Sequence, residues 1–225
     1  MVDWAWIADH VDEIAVKTVQ HVYLTAISVA VGFVIAFGLA VWSIRRRSVY
    51  GPLIAFTGIL YTIPSLFLFP VLVPITGLSV LTAVIPLVLY TLLIFLRNMV
   101  AGFDGVPRDV LEAADGMGYT RWHRFQLVEI PLAIPLIVAG VRLATVSTIG
   151  LVTISGILGD AFGGLGFFIF EGLRRRFSTE IFAGALVTII LAVAVDVLLV
   201  LLQRRLTPWT RQRTRAAGAT ASATA

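Results

Sequence analysis

The stretch VQHVYLTAISVAVGFVIAFGLAVWSIRRR, residues 19–47, decides how the chain is to be read. Residues 19–44 contain no Asp, Glu, Lys or Arg, and Arg45, Arg46 and Arg47 follow at once. A helix rises about 1.5 Å per residue, so about 20 apolar residues cross the ~30 Å hydrocarbon core of a bilayer. The stretch is therefore a membrane-spanning helix stopped by three cations at the headgroups. Four further runs of this kind follow, at residues 50–74, 78–101, 130–158 and 181–202. The second holds Pro64 and Pro70 and the third Pro86, which a bundle tolerates because neighbouring groups satisfy the freed carbonyls.

Composition agrees. Hydrophobic residues make up 59% of the 225 and charged residues 13%, where a soluble domain carries about a quarter charged. That is too little polar surface to cover a water-soluble globule. The expected fold class is an all-α polytopic membrane protein with about five spans. There is no cysteine, which excludes disulfides, thiolate metal sites and a Cys nucleophile. His10, His21 and His123 lie far apart, without metal-ligand spacing, and Ser, His and Asp show no catalytic spacing. No metal, cofactor or catalytic residue is expected.

The arginines fall in clusters beside apolar runs, which points to orientation in a lipid bilayer rather than to nucleic acid. By the positive-inside rule, Arg45–Arg47 and the five arginines of residues 204–215 are cytoplasmic. Five spans then place the N-terminus outside and the C-terminus inside. The acidic start (Asp3, Asp9, Asp12, Glu13) fits this and does not fit the positive n-region of a signal peptide. The expected organisation is an extracytoplasmic segment at 1–17, a membrane domain at 18–205 and a disordered cytoplasmic tail at 206–225. Arg174, Arg175 and Arg176 then fall outside, against the rule. Residues 164–173 are expected as a short interfacial or re-entrant helix; a short sixth span is the alternative.

The most polar internal stretch is residues 103–129, between spans three and four, on the cytoplasmic side. Pro107 suits the first turn of a helix, Gly116 and Gly118 its end, and Thr120 the cap of a second. Two short helices at the membrane surface are expected. Their spacing is distinctive: Glu112-Ala113-Ala114, three residues, Gly118, nine residues, Val128, one residue, Ile130-Pro131.

This spacing resembles the EAA loop of bacterial ABC importer permeases, with Val128 and Ile130 as mild apolar departures. The likeness extends over residues 18–205. It is nearest to permeases for osmoprotectants (glycine betaine, choline, carnitine) at 129–135, 139–145, Tyr61-Thr62-Ile63-Pro64-Ser65 and Gly163-Gly164-Leu165-Gly166. The resemblance implies a permease subunit without its own ATP site. Separate ATPase subunits would dock on the loop through Glu112, Ala113, Ala114, Gly118 and Pro131. It also implies a second permease chain, identical or homologous, and an extracytoplasmic solute-binding protein. A stand-alone secondary transporter or channel is the alternative, and an intramembrane enzyme would need a reactive constellation that is not evident.

Inside the spans, Tyr61, Thr62, Ser65 and Tyr90 are candidates for lining a pathway, with aromatic faces suited to quaternary ammonium groups. Arg142 and Asp196 lie at comparable depths in spans four and five and form a candidate charge pair, since an unpaired charge there is costly. Gly32, Gly38, Gly140 and Gly184 are expected where helices meet.

Overall fold

The computed structural model describes residues 2–208, so the expected disordered tail lies almost wholly outside the described residues. Among the described residues every regular element is helical. In chain order they are α1 (Trp4–Asp9), α2 (Val11–Arg45), α3 (Arg47–Thr62), α4 (Ser65–Thr76), α5 (Val80–Asp104), α6 (Arg108–Gly116), α7 (Arg121–Arg124), a π-turn (Phe125–Glu129), α8 (Ile130–Val152), a 3-10 turn (Ile154–Leu158), α9 (Gly166–Arg175) and α10 (Ser178–Leu206).

Helix α5 is the centre of the bundle, held between α2 and α8. Leu92, Phe95, Leu96 and Met99 pack with Ala36 and Ala40 of α2 and with Ala133 and Ala144 of α8. Lipid is as apolar as these side chains, so close backbone approach rather than hydrophobic transfer drives this packing. A Cβ placed on Gly32 would lie 1.9 Å from Thr91 Oγ1, and one on Gly140 would lie 2.7 Å from Asn98 Cβ. Gly184 likewise meets the carbonyl of Leu165, but Gly38 faces open space and is not a packing position.

Four helical stretches are long and apolar enough to cross a bilayer, and the pair α3–α4 makes a fifth crossing if counted as one span. That pair corrects the single kinked span expected at residues 50–74: its two helices meet at 93°. Pro64 has no N–H and forces its predecessor out of the helical region, and Ile63 is extended (φ −65°, ψ 127°). Helix α4 then folds over the far half of α5, burying Phe69 beside Leu24, Leu87 and Val152.

Helix α2 starts at Val11, so it runs without a break through the boundary expected at residues 17 and 18. Its 35 residues span about 52 Å, well beyond the hydrocarbon core. The second short helix of the polar loop is corrected too. Helix α7 passes through the π-turn into α8 as one stretch, residues 121–158. Pro131 explains the π-turn: it cannot donate to the carbonyl four residues earlier, and a widened turn absorbs the missing bond.

The bundle has two distinct ends. The loop end carries Arg45–Arg47, the C-terminus of α5 and helices α6 and α7; there Arg47 Nη1 donates to Asp104 Oδ2 at 3.0 Å. The α9 end carries α1, the 3-10 turn, α9 and the start of α10, tied by a hydrogen bond from the Asp3 N–H to Thr179 Oγ1 at 3.0 Å. Helix α9 has only ten residues and folds back along the first turns of α10, Gly172 against Ile181 and Phe168 against Gly184. At ten residues it is too short for the ~30 Å hydrocarbon core, which favours the interfacial or re-entrant helix over a sixth span.

Three side chains within about one turn of α2 hold the glycine-rich segment before α9. Lys17 bonds the carboxylate and carbonyl of Asp160. Gln20 accepts from Gly164 N–H at 2.9 Å and donates to Ala161 O. His21 accepts from Leu165 N–H at 3.3 Å and its Nε2–H donates to Ile149 O at 3.0 Å, which fixes one neutral tautomer. The segment lies so close to the 3-10 turn that a Cβ on Gly166 would fall 1.9 Å from the Thr153 carbonyl oxygen. Gly166→Ala is therefore expected to destabilise the chain by about 1–3 kcal/mol, as over-packing does. Gly38→Ala is expected to leave it unchanged; thermal melting of both in detergent checks the contrast, and equal midpoints would contradict it.

Candidate functional site

The polar loop is built as a rigid projection. Helix α6 begins after Pro107 and ends in a left-handed turn at Gly118 (φ +81°). There the N–H of Tyr119 donates back to the carbonyl of Ala114 at 3.1 Å. Gly118 is thus required by backbone conformation, since a Cβ there would meet nothing within 4 Å. Arg124 fastens the helix to the start of span four, with Nη1 donating to Asp115 Oδ2 at 2.5 Å and Nε to Glu129 Oε1 at 3.0 Å. The Thr120 hydroxyl accepts from the His123 N–H at 3.3 Å and caps α7.

This geometry separates residues that the spacing had grouped together. Glu112, Ala113 and Gly118 are exposed. Ala114 is 1% exposed and faces the chain's own interior, where it lets α6 close on the bundle. Pro131 is half-buried at the start of α8, where it shapes the π-turn. Beside the loop opens a cavity of about 1090 Å³, lined among others by Arg45, Arg47, Arg121, Trp122, Arg124 and Phe125. Arg124, the hinge pin of this arrangement, was missed in sequence because its partners lie on two different elements.

The four pathway candidates divide as well. Tyr90 is buried, and its hydroxyl donates to the carbonyl of Ile63, which the break at Pro64 leaves without a helical partner. It acts as a strut under the 93° bend. Tyr61 meets the Tyr90 ring edge-on at 5.7 Å and is exposed. Thr62 is exposed and turned back to its own helix, donating to Ile59 O at 2.7 Å, and Ser65 is half-buried. These four line neither the cavity at the loop end nor the smaller one at the α9 end.

Arg142 and Asp196 face each other between α8 and α10. The contact is bidentate, Nε to Oδ1 at 2.5 Å and Nη2 to Oδ2 at 2.9 Å. Both side chains keep part of their surface open (43% and 31%), so the pair sits at the edge of the bundle rather than in its core.

At the α9 end, two of the three arginines that break the charge rule have carboxylate partners. Arg174 and Arg175 both bond Glu171, and Arg175 Nη1 lies 3.5 Å from Glu180 Oε1. The Arg174 hydrogen bond in particular holds the Glu171 carboxyl below the usual carboxylate range.

Comparison with known proteins agrees with this architecture. Residues 23–212 match the model of the family described as binding-protein-dependent transport system inner membrane component. The glycine betaine/carnitine/choline transport system permease protein OpuCB of Bacillus subtilis is 38% identical over 87% of this chain and 89% of its own length. The osmoprotectant import permease protein OsmW of Salmonella typhimurium is 36% identical over 90% of this chain and 96% of its own. The fold matches a chain of the MetNI methionine ABC transporter in an inward-facing conformation, with TM-score 0.75, 21% identity and coverage of 86% and 96%. It also matches a chain of an amino acid ABC transporter crystallised with histidines, with TM-score 0.73, 18% identity and coverage of 91% and 99%. A subunit of a multi-component importer is therefore favoured over a stand-alone transporter. With a match over most of its length, this chain belongs to the family of binding-protein-dependent transport system inner membrane components, multi-pass proteins of the cell membrane.

Proposed function

We propose that the chain is the permease subunit of an ATP-driven importer for a small quaternary-ammonium solute of the glycine betaine, choline or carnitine class. The observation that carries the solute class is the 38% identity, over nearly the full length of both chains, to a permease named for those three solutes. In this reading the loop end is cytoplasmic and the α9 end faces the solute-binding protein. Two permease chains enclose the pathway, and alternating access moves the solute between them.

Energy enters at α6. Glu112 and Ala113 stand exposed on a short helix whose base is fixed by the Asp115–Arg124–Glu129 chain of charges. Glu112 offers a carboxylate to a cation of the ATPase, and Ala113 allows close approach. Because α7, the π-turn and α8 are continuous, a push on α6 is delivered through Arg124 to span four. The Arg142–Asp196 pair then couples span four to span five.

Two outcomes test this. Glu112→Lys is expected to lower ATP-driven uptake by the assembled importer more than about tenfold while the chain still reaches the membrane, as reversal of an interfacial charge does. Ala113→Trp should block co-purification of the ATPase from an otherwise folded chain, whereas Ala114→Trp should unseat α6 itself. Uptake unaffected by both Glu112→Lys and Ala113→Trp would refute the docking assignment. For the charge pair, Arg142→Asp and Asp196→Arg are each expected to abolish uptake, and the double exchange to restore part of it. Absence of rescue in a folded double variant would remove the pair from the mechanism.

A further inference from the structure

The α9 end encloses a second cavity, of about 180 Å³, between α1, the start of α2, α9 and the start of α10. Three aromatic residues wall it, Trp6, Phe167 and Phe168, together with Glu13, Glu171, Glu180, His10 and Arg175. At ~30 Å³ per water, it has room for about six waters or one small organic ion.

The charges around it do not close among themselves. Glu171 is taken up by Arg174 and Arg175. Glu180 is buried, its side chain only 6% exposed, and its one salt-bridge partner among the described residues, Arg175, is 3.5 Å away on the Oε1 side. Its Oε2 is buried without any hydrogen-bond partner. A buried carboxylate oxygen left bare is costly and calls for an explanation. Glu13 forms no salt bridge among the described residues and lies on the same wall. His10 is stacked on Trp6 and hydrogen-bonded to the Trp6 carbonyl at 2.8 Å, and among the described residues it makes no hydrogen bond to Glu180. The rings already attract cations: Lys17 Nζ lies 4.7 Å from the centre of the Phe167 ring.

We propose that this cavity binds a small organic cation bearing a methylated ammonium group, its charge against Glu180 and Glu13 and its methyl groups against Trp6, Phe167 and Phe168. Aromatic walls with a nearby carboxylate recognise such a cation better than a compact hydrated ion. Methylated ammonium sheds water easily and presents carbon to the rings, while sodium keeps its hydration shell. The site lies in the segment clamped by Lys17, Gln20 and His21, at the end where a binding protein would deliver its solute. It serves there as a receiving site ahead of the pathway. The choice of ligand class rests on the quaternary-ammonium reading above; the cavity and its unpartnered carboxylate do not.

The experiment uses the full chain in nanodiscs, with tetramethylammonium chloride as probe and sodium chloride at equal ionic strength as control, and binding followed by saturation-transfer NMR. Saturable binding of tetramethylammonium, not competed by sodium, is expected. Glu180→Gln, which keeps shape and removes charge, should weaken it about tenfold, and Trp6→Leu should do the same from the aromatic side. Glu112→Lys, at the opposite end, should leave it unchanged. No saturable binding to the wild-type chain, or equal affinity in Glu180→Gln, overturns the proposal. The second result would mean that Glu180 carries a proton rather than a charge. If Glu180→Gln fails to fold, Glu13→Gln and Trp6→Leu decide in its place, and unchanged binding in both is again contrary. Uptake of choline by the assembled importer reads the transported solute separately. Binding without uptake would spare the site and sink the solute class, and uptake without binding would do the reverse.

Discussion

The close approach of α2, α5 and α8 is the constraint on which the rest of the structure depends. In a bilayer no apolar surface is gained by bringing helices together, so the bundle holds where small residues let backbones touch and dispersion contacts accumulate. Gly32 against Thr91 and Gly140 against Asn98 are those places, with α5 receiving both. Once these three helices are fixed, the polar loop is fixed at one end and the glycine-rich segment at the other. The loop joins α5 to α8, and the glycine-rich segment follows α8 at its other end.

The two ends use the same device for different purposes. Each has one basic side chain that ties a loop to a span: Arg124 between α6 and the π-turn, and Lys17 between α2 and Asp160. At the loop end the tie makes a stiff lever, because a helix seated through Ala114 and pinned through Asp115 cannot swing independently of span four. At the α9 end the tie is reinforced by Gln20 and His21 and holds a turn so tight that only glycine fits at its narrowest contact. A lever at one end and a clamped vestibule at the other is an arrangement suited to passing motion along span four.

Much of this was legible in the sequence, for reasons that can be named. Apolar runs of spanning length and the arginine stops gave the bundle, because bilayer thickness sets those lengths directly. Glu112 to Pro131 announced the loop, because its spacing reflects a helix, a left-handed glycine turn and a proline-initiated span. What stayed hidden depended on contacts far apart in the chain. Pro64 signals a missing donor but not a turn of 93°, which Tyr90 stabilises from another helix. Ala113 and Ala114 look alike in sequence, and only the packing of α6 shows that one faces out and the other in. Lys17 shows no partner in the sequence, because Asp160 lies 143 residues later and comes beside it only in the fold. Arg174 and Arg175 show their carboxylate partners, Glu171 and Glu180, only once α9 folds back along α10.

The central claim is that motion enters this chain from a separate ATPase at the exposed face of α6. The chain lacks cysteine, so a single cysteine can be placed at will. With cysteine at position 113 and a short bismaleimide reagent, the account predicts a cross-link to the ATPase subunit that depends on the nucleotide state. The same reagent with cysteine at position 114 should give none. Cross-linking at 114 as efficient as at 113, or none at 113 in an importer that still transports, would contradict it.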